Sequence, residues 1–217
     1  MKKNNIISLL FIVFALLCSV PSSASYMFKH YGVESGLSQS TVFALLQDRT
    51  GFIWVGTKSG LNRFDGIMFK VYHASSAPYS LGSDIVTSLY EDGDGKIWVG
   101  TDAGIWIYNP MNDAFVPFSA QTSNGVSVRN TISAIVGNGD NIYIASHEQG
   151  VFRYNVKTRQ LFNNRLQGKP NAEGISISSD GRVWIGFYGG GLYYADANLR
   201  VLKSFTLVDG TLPFEHD

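Results

Sequence analysis

The chain has 217 residues, of which 45% are hydrophobic, 13% aromatic and 16% charged. This hydrophobic content with so little charge excludes a disordered tail, and 17 basic residues balanced by 17 acidic ones leave no basic excess that would favour nucleic acid. Twenty-three glycines with only six prolines exclude collagen and suit an all-β protein with many tight turns.

The first 24 residues show the three parts of a secretory signal peptide. Two lysines near the start precede an apolar run over residues 6–20, and small residues then lead to Ala24. Because this run is shorter than the roughly 20 residues that span a bilayer, we expect export and cleavage near Ala24. An uncleaved anchor is the alternative. Lipid attachment to Cys18, the only cysteine, is not expected because Leu17 before it is not small.

A strand is predicted directly after the signal peptide, over residues 26–31. Its sequence, Phe28-Lys29-His30-Tyr31, is similar to a later segment, Phe69-Lys70-Val71-Tyr72. The two segments are therefore predicted to be strands of the same kind.

Four copies of one pattern follow, each with an aromatic anchor in an apolar, β-branched strand. The first copy reads Ile53-Trp54-Val55-Gly56-Thr57, and a glycine three residues later opens the next strand. The four anchors are Trp54, Trp98, Tyr143 and Trp184, at spacings of 44, 45 and 41 residues. Four copies at so regular a spacing predict a repeat architecture.

Each copy contains four short strand patterns, and no segment after the signal peptide has a helical period with caps. Asp, Asn and Gly occupy the turns between the first and second strands, where tight hairpins require positive φ. Four strands in each repeat of roughly 40–45 residues predict the blades of a β-propeller. The predicted blades cover residues 41–73, 85–118, 131–163 and 174–207, with the anchors packed between blades. A β-sandwich is the alternative, and the constant spacing argues against it.

The opening strand over residues 26–31 is of the kind that completes the last blade of a closed propeller. The fourth blade already has an outer strand of its own, Val201 to Leu207, so the opening strand is left without a partner. We therefore expect four blades that form an open part of a larger, seven-bladed propeller, in a chain that is the N-terminal fragment of a longer protein. A complete four-bladed ring is the alternative.

Three segments around the first anchor resemble a known repeat. They read Gly36-Leu37-Ser38-Gln39-Ser40, Gln47-Asp48-Arg49-Thr50-Gly51-Phe52-Ile53-Trp54-Val55-Gly56-Thr57 and Gly60-Leu61-Asn62-Arg63-Phe64-Asp65-Gly66. They are similar to the two-component regulator propeller repeat, which builds the periplasmic sensor region of hybrid two-component system proteins in polysaccharide-degrading gut bacteria. The resemblance extends over essentially all of the chain after the signal peptide. The third repeat departs from it at Tyr143 and Ala145-Ser146, and the fourth at Phe187.

The resemblance implies a larger architecture: two seven-bladed propellers, an immunoglobulin-like module, one membrane span, a histidine kinase, a receiver and a DNA-binding domain. Such proteins sense glycan fragments and switch on genes for glycan use. For this chain the resemblance implies a periplasmic location, in a parent anchored in the inner membrane. The expected partners are an oligosaccharide ligand and the rest of the sensor propeller, with a homodimer in the parent and no nucleic acid in this segment. These residues contain no kinase motif, so we expect no enzyme activity, and no cofactor or metal is implied.

The loops at one end of the blades are the predicted ligand-binding region. The loops that join the second and third strands differ between repeats, whereas their flanking strands are alike, as expected of a binding surface on a constant scaffold. These loops, with the linkers between blades, supply six candidate ligand contacts: Lys58, Asp102, Arg129, Glu148, Gln149 and Tyr188. Their charged and amide groups can hydrogen-bond sugar hydroxyls or uronic carboxylates, and Tyr188 can stack on a sugar ring. The alternative is that all six are solvated loop residues.

Two other classes of function stay open: a secreted propeller that serves only as a scaffold for protein binding, and a propeller enzyme that acts on polysaccharide. The acidic turn Asp92-Gly93-Asp94-Gly95 could suggest calcium, but it lacks the further acidic residues of a calcium loop, and turn chemistry explains it. No recognisable pair of catalytic carboxylates and no nucleophile elbow is present in the sequence.

Overall fold

The computed structural model describes residues 27–165, 168 and 171–206. The chain divides into two compact units, residues 1–30 and residues 31–217. Within the first unit, residues 27–30 are exposed and have no regular secondary structure. The predicted signal peptide over residues 1–24 lies outside the described residues, as do residues 207–217.

The described part of the second unit contains sixteen strands in four antiparallel sheets, and in every sheet neighbouring strands follow the order of the chain. The first sheet consists of β1 (Val42–Gln47), β2 (Ile53–Thr57), β3 (Gly60–Phe64) and β4 (Phe69–Tyr72). The second consists of β5 (Val86–Glu91), β6 (Ile97–Thr101), β7 (Gly104–Asn109) and β8 (Ala114–Pro117). The third consists of β9 (Ile132–Asn138), β10 (Asn141–Ser146), β11 (Gly150–Asn155) and β12 (Leu161–Asn164). The fourth consists of β13 (Ala172–Ile177), β14 (Val183–Phe187), β15 (Gly191–Ala195) and β16 (Val201–Phe205).

These sheets confirm the predicted all-β fold with four four-stranded antiparallel units. A single 3-10 turn, Val33–Ser35, is the helical content of the described residues. The seven-bladed ring to which the sheets were assigned stays a prediction.

The outer strand predicted over residues 26–31 is absent from the described residues 27–31, which have no strand structure. A strand is held by pairing with a neighbour, and β16 already occupies the outer edge of the fourth sheet. Tyr31 instead packs its ring on the first sheet, with centroids 4.8 Å from Phe64 and 6.2 Å from Phe69. Tyr31 therefore contributes an aromatic contact to the first sheet, and the role of this segment in closing a ring stays a prediction.

The hairpin between the first two strands of each of the first two sheets is closed by an aspartate that also holds the anchor tryptophan. In the first sheet, Asp48 Oδ1 accepts hydrogen bonds from the backbone N–H groups of Thr50 and Phe52, at 2.9 and 3.0 Å. Asp48 Oδ2 accepts from the indole N–H of Trp54 at 2.7 Å. These bonds outweigh the opposing effect of partial burial and lower the pKa of Asp48.

The second sheet repeats this arrangement at Asp92. Its Oδ1 accepts from the N–H groups of Asp94 and Lys96, and its Oδ2 accepts from the indole N–H of Trp98 at 2.8 Å. The acidic turn is thus occupied in closing its own hairpin, as turn chemistry predicted.

Successive sheets pack face to face through their first strands, β1 on β5, β5 on β9 and β9 on β13. We call the face that meets the next sheet the forward face. Trp54, Trp98 and Tyr143 lie on the forward faces of the first three sheets and are 1–2% exposed, each in a cluster with residues of the following sheet. Trp184 has the equivalent position on the fourth sheet, but no further described sheet covers it and it is only partly buried.

The glycine after the anchor lets the next sheet approach closely. A Cβ atom added at Gly56 would lie 2.6 Å from Val86 Cγ1, and one added at Gly100 would lie 2.8 Å from Ile132 Cγ2. In the third sheet the equivalent residue is Ala145, and the facing first strand begins with the small Ala172 where the others have valine or isoleucine. The third repeat's departure from glycine is therefore matched by a smaller neighbour, and the spacing between sheets is kept.

Candidate ligand-binding end of the sheets

The loops that were predicted to form the binding region lie together at one end of each sheet, which we call the loop end. In every sheet, the first residue of the loop between the second and third strands donates its backbone N–H to the carbonyl of the residue just before the first strand. The four bonds are Lys58 to Thr41, Asp102 to Ile85, His147 to Thr131 and Tyr188 to Asn171, with lengths of 2.9–3.2 Å. Each hairpin loop is therefore held beside the linker that enters its own sheet.

A β-bulge near the start of each first strand adds a set of residues at the loop end that the sequence pattern did not reveal. The register shifts in all four sheets, at Phe43, Thr87, Ser133 and Glu173. Thr87 Oγ1 donates to the carbonyl of Ile132 at 2.6 Å, and Ser133 Oγ donates to that of Ala172 at 2.5 Å. These two hydroxyls thus tie the first strands of the second and third sheets to the first strand of the sheet that follows. Bulges re-aim side chains and are common next to functional sites.

Three of the six predicted residues lie close together where the linker from the second sheet enters the third sheet. They are Arg129, Glu148 and Gln149. Gln149 Oε1 accepts from the backbone N–H groups of Arg129 and Asn130 at 3.0 and 3.2 Å, and its Nε2 donates to the carbonyl of Ser127 at 2.9 Å. Both ends of the Gln149 amide are therefore used to fix the linker, which leaves it less able to bond a ligand than its sequence position suggested.

Glu148 and Arg129 stay exposed beside this amide. Glu148 has a φ of 61°, in the left-handed region, and its carboxylate accepts from Asn130 Nδ2 at 3.0 Å. Arg129 Nε donates to Ser127 Oγ at 2.7 Å. Arg129 and Glu148 thus place one cation and one anion beside the linker between the second and third sheets, and both are exposed to solvent.

The other three predicted residues are separate from this group. Asp102 is exposed, and its carboxylate accepts from the Ser83 hydroxyl at 2.5 Å. Lys58 is exposed in the first sheet and makes no described hydrogen bond or ion pair to the other five residues. Tyr188 is 78% exposed beside Gly189, whose φ of 61° turns the hairpin, so most of its side chain is open to solvent.

The loop end also holds a histidine–carboxylate contact that sequence reasoning did not single out. His147 Nε2 lies 3.2 Å from Glu173 Oε2, across the boundary between the third and fourth sheets. His147 belongs to the predicted loop set, but Glu173 is a bulge residue. The contact could not be predicted from the sequence, because the position of Glu173 depends on how its strand pairs with the next one. The sequence pattern shows only which residues of that strand alternate between its two faces.

No helix in the described residues is long and apolar enough to cross a membrane. No group of three His, Cys, Asp or Glu side chains in them could hold a metal ion.

The repeats are similar to those of known proteins. Residues 36–59 and 80–103 match the two-component regulator propeller family. Histidine kinase P4 of Formosa agariphila is 38% identical over 72 residues, which are 33% of this chain and 5% of that protein.

Two solved structures share the fold over most of the chain. The extracellular domain of BT3049 of B. thetaiotaomicron, assigned as a hybrid two-component system, has a TM-score of 0.72 and 25% identity over 84% of this chain. That of BT4673 from the same organism has a TM-score of 0.69 at 19% identity over 82% of this chain, a likeness of fold alone. The chain spans 27% of each of those two domains. Two segments of the chain therefore match the two-component regulator propeller family, and the described sheets share the fold of these extracellular domains.

Proposed function

We propose that this chain is the ligand-sensing part of an exported two-component sensor, and that the ligand is a glycan fragment bound at the loop end of the sheets. The observation that carries the proposal is the contrast between a repeated scaffold and unlike side chains. The same backbone bond closes the loop in all four sheets, yet these loops present a lysine, an aspartate, a histidine with a glutamate, and a tyrosine.

The exposed groups suit a sugar better than an apolar ligand. Hydroxyl-rich rings need donors and acceptors on their edges and an aromatic face beneath their C–H surface. Lys58, Asp102, Arg129 and Glu148 supply the edge groups, and the open ring of Tyr188 supplies the face. Gln149 contributes by holding the linker that presents Arg129.

The setting of this function is part of the proposal. The signal peptide over residues 1–24 delivers the chain to the periplasm, and a histidine kinase elsewhere in an inner-membrane-anchored parent carries the signal onward to genes for carbohydrate use. The match to a histidine kinase supports the kinase link, although it covers only 5% of that protein. The chain itself acts as a binding module and not as an enzyme, and the rest of the sensor propeller and a second copy of the parent are its protein partners.

Calorimetry with a panel of neutral and acidic oligosaccharides tests the proposal. We expect one member of the panel to bind, and Tyr188→Ala or Lys58→Ala to weaken that binding by about tenfold. Asn112→Ala, in an exposed turn at the opposite end of the second sheet, is the matched control and should bind like the original chain. If the loop-end variants bind every sugar as well as the control does, the loop end is not the site.

Export is tested separately. The secreted protein should begin near Ser25 when its amino terminus is sequenced from a periplasmic extract. A product that keeps residues 1–24 would contradict cleavage and support the uncleaved anchor.

A further inference from the structure

A cleft of about 900 Å³ lies between the second and third sheets, at the end of the sheets opposite to the loop end. It opens among the turns that join first to second strands and third to fourth strands, and it extends along β8. None of the six predicted ligand contacts lines it. The cleft is thus separate from the site proposed above.

The interface at the cleft differs from the other two in the turn between the third and fourth strands, which in the described residues makes no bond across it. Between the first and second sheets, Asp113 in that turn accepts from Tyr72 Oη at 2.7 Å and pairs with Lys70. Between the third and fourth sheets, Leu199 in the equivalent turn is 2% exposed, and the neighbouring Asn198 accepts from Arg153 Nη1 at 2.8 Å. Both interfaces are closed at this point.

The equivalent residue at the second interface is Arg159. Asp113, Arg159 and Leu199 share a left-handed φ of 53–63° at this position of their turns. The residues of the second sheet that line the cleft with Arg159 include Ile107 and Val116, at the positions where the first sheet has Arg63 and Lys70. Apolar side chains offer no partner to a guanidinium. In the part of the chain that the structure describes, the turn containing Arg159 accordingly makes no hydrogen bond or ion pair to the second sheet.

The walls of the cleft combine aromatic rings with charged side chains of both signs. Phe118 and Tyr154 meet edge to face at 5.0 Å, and Tyr90 lines the same wall. Lys157 is paired with Asp140 at 2.9 Å, and Lys96 lies 3.6 Å from Asp94. Asp92 also lines the cleft, so three acidic and three basic side chains balance there, but its carboxylate already accepts from two backbone N–H groups and the Trp98 indole. Among the described residues, Arg159 is the one base of this lining that makes no ion pair, so its guanidinium is available to a bound anion.

We propose that this cleft is a second ligand site, which takes a sugar ring bearing a carboxylate or a sulfate. The anionic group pairs with the Arg159 guanidinium, whose planar fork suits either oxyanion. The C–H face of the ring lies on the Phe118 and Tyr154 side chains. The inference rests on the proposed function in one respect, that the ligand is a saccharide, but it assigns a different site and a charge requirement.

Binding of matched disaccharides to the full chain tests the cleft. The probes are cellobiose, its uronate counterpart cellobiouronic acid, and cellobiose 6′-sulfate, which separates carboxylate from sulfate. We expect at least one acidic probe to bind at least about tenfold more tightly than cellobiose, and Arg159→Gln to remove that advantage. Arg200→Gln, an exposed arginine in the equivalent turn of the fourth sheet, is the matched control and should keep it.

A second variant tests whether the ligand occupies the cleft, and not only whether the charge of Arg159 matters. Val116→Trp, at a position 43% exposed on the lip of the cleft, should fill the space and weaken the acidic probe to the same degree. The proposal is overturned if neither acidic probe binds better than cellobiose, or if Arg159→Gln and Arg200→Gln behave alike.

The loop-end variants keep the two proposals distinguishable. If Tyr188→Ala and Lys58→Ala abolish binding of the acidic probe while Arg159→Gln and Val116→Trp do not, the cleft proposal fails and the loop-end proposal stands. If only the two cleft variants matter for every sugar, the cleft is the site and the loop-end proposal fails.

Discussion

The forward faces of the second and fourth sheets carry the same anchor residue in different surroundings. On the second sheet, Trp98 is 2% exposed, is covered by Ile132 and Phe152 of the third sheet, and donates its indole N–H to Asp92. On the fourth sheet, Trp184 is partly exposed, stacks on Phe205 and contacts the tilted ring of Tyr194, both in its own sheet. The repeat thus specifies the position of the tryptophan within a sheet. How much that tryptophan stabilises the fold depends on whether a neighbouring sheet covers it.

The hydrogen-bond partner differs between the two faces as well. Ser178 occupies the place of Asp92 in the fourth repeat, six residues before the anchor, and its hydroxyl bonds Asp180 at 2.5 Å. In the described residues, the fourth repeat thus has neither the covering sheet of the first three repeats nor the aspartate that holds the tryptophan in the first two.

The largest expected difference is between Trp98→Ala and Trp184→Ala. Removing the buried Trp98 should lower the free energy of unfolding by about 3–5 kcal/mol, since it leaves a cavity between two sheets. Removing Trp184 should cost less than about 2 kcal/mol, because part of that ring is already in water. Urea unfolding of both variants measures the difference. Equal losses would show that the forward face of the fourth sheet is covered in solution and would break the comparison.

The next effect in size concerns the aspartate that holds the anchor. Asp92→Ala should destabilise the chain by about 1–3 kcal/mol, because the buried indole N–H of Trp98 and two backbone N–H groups lose their acceptor. Asp180→Ala, in the exposed hairpin of the fourth sheet, is the control and should cost less than about 0.5 kcal/mol. If the two variants unfold at the same denaturant concentration, the indole bond contributes nothing to the interface.

A third effect is visible as pH dependence at the first interface. Partial burial alone would raise the pKa of Asp113, but hydrogen bonds from Lys70, Tyr72 and Tyr108 outweigh it and lower the pKa from 3.8 to about 2. Since the folded-state pKa is lowered, this group stabilises the fold above pH 3.8 and loses that contribution as the pH falls towards 2. Asp113→Asn should therefore destabilise the chain at pH 7 and show a smaller further loss between pH 4 and pH 2 than the original chain. Parallel stability curves for the two proteins over that range would contradict a role for the Asp113 cluster.

Some features of the fold and of the candidate site could be predicted from the sequence, and others could not. The four anchors and the Asp–Gly turns predicted the sheets, because hydrophobic alternation and residues that favour positive φ depend on local structure alone. The bulge residues, such as Thr87 and Glu173, were not foreseen, since a register shift depends on how two strands pair. The internal role of the Gln149 amide and the cleft beside Arg159 were equally hidden. Both depend on which groups of a neighbouring segment come within hydrogen-bonding distance, and the spacing of a repeat carries no information on that.

The smallest expected effect would come from restoring the aspartate to the fourth repeat. In Ser178→Asp, the new carboxylate should accept the indole N–H of Trp184, as Asp92 accepts that of Trp98. A hydrogen bond to a carboxylate in a buried site is worth more than one near solvent, because water competes for both partners at the surface. Trp184 is partly exposed, so we expect a gain of only about 0.5–1 kcal/mol, measured by urea unfolding with Ser178→Asn as the uncharged control. A gain as large as the loss from Asp92→Ala would mean that the Trp184 indole is as dry as that of Trp98. The contrast between the two forward faces would then come from the missing aspartate and not from the missing neighbour.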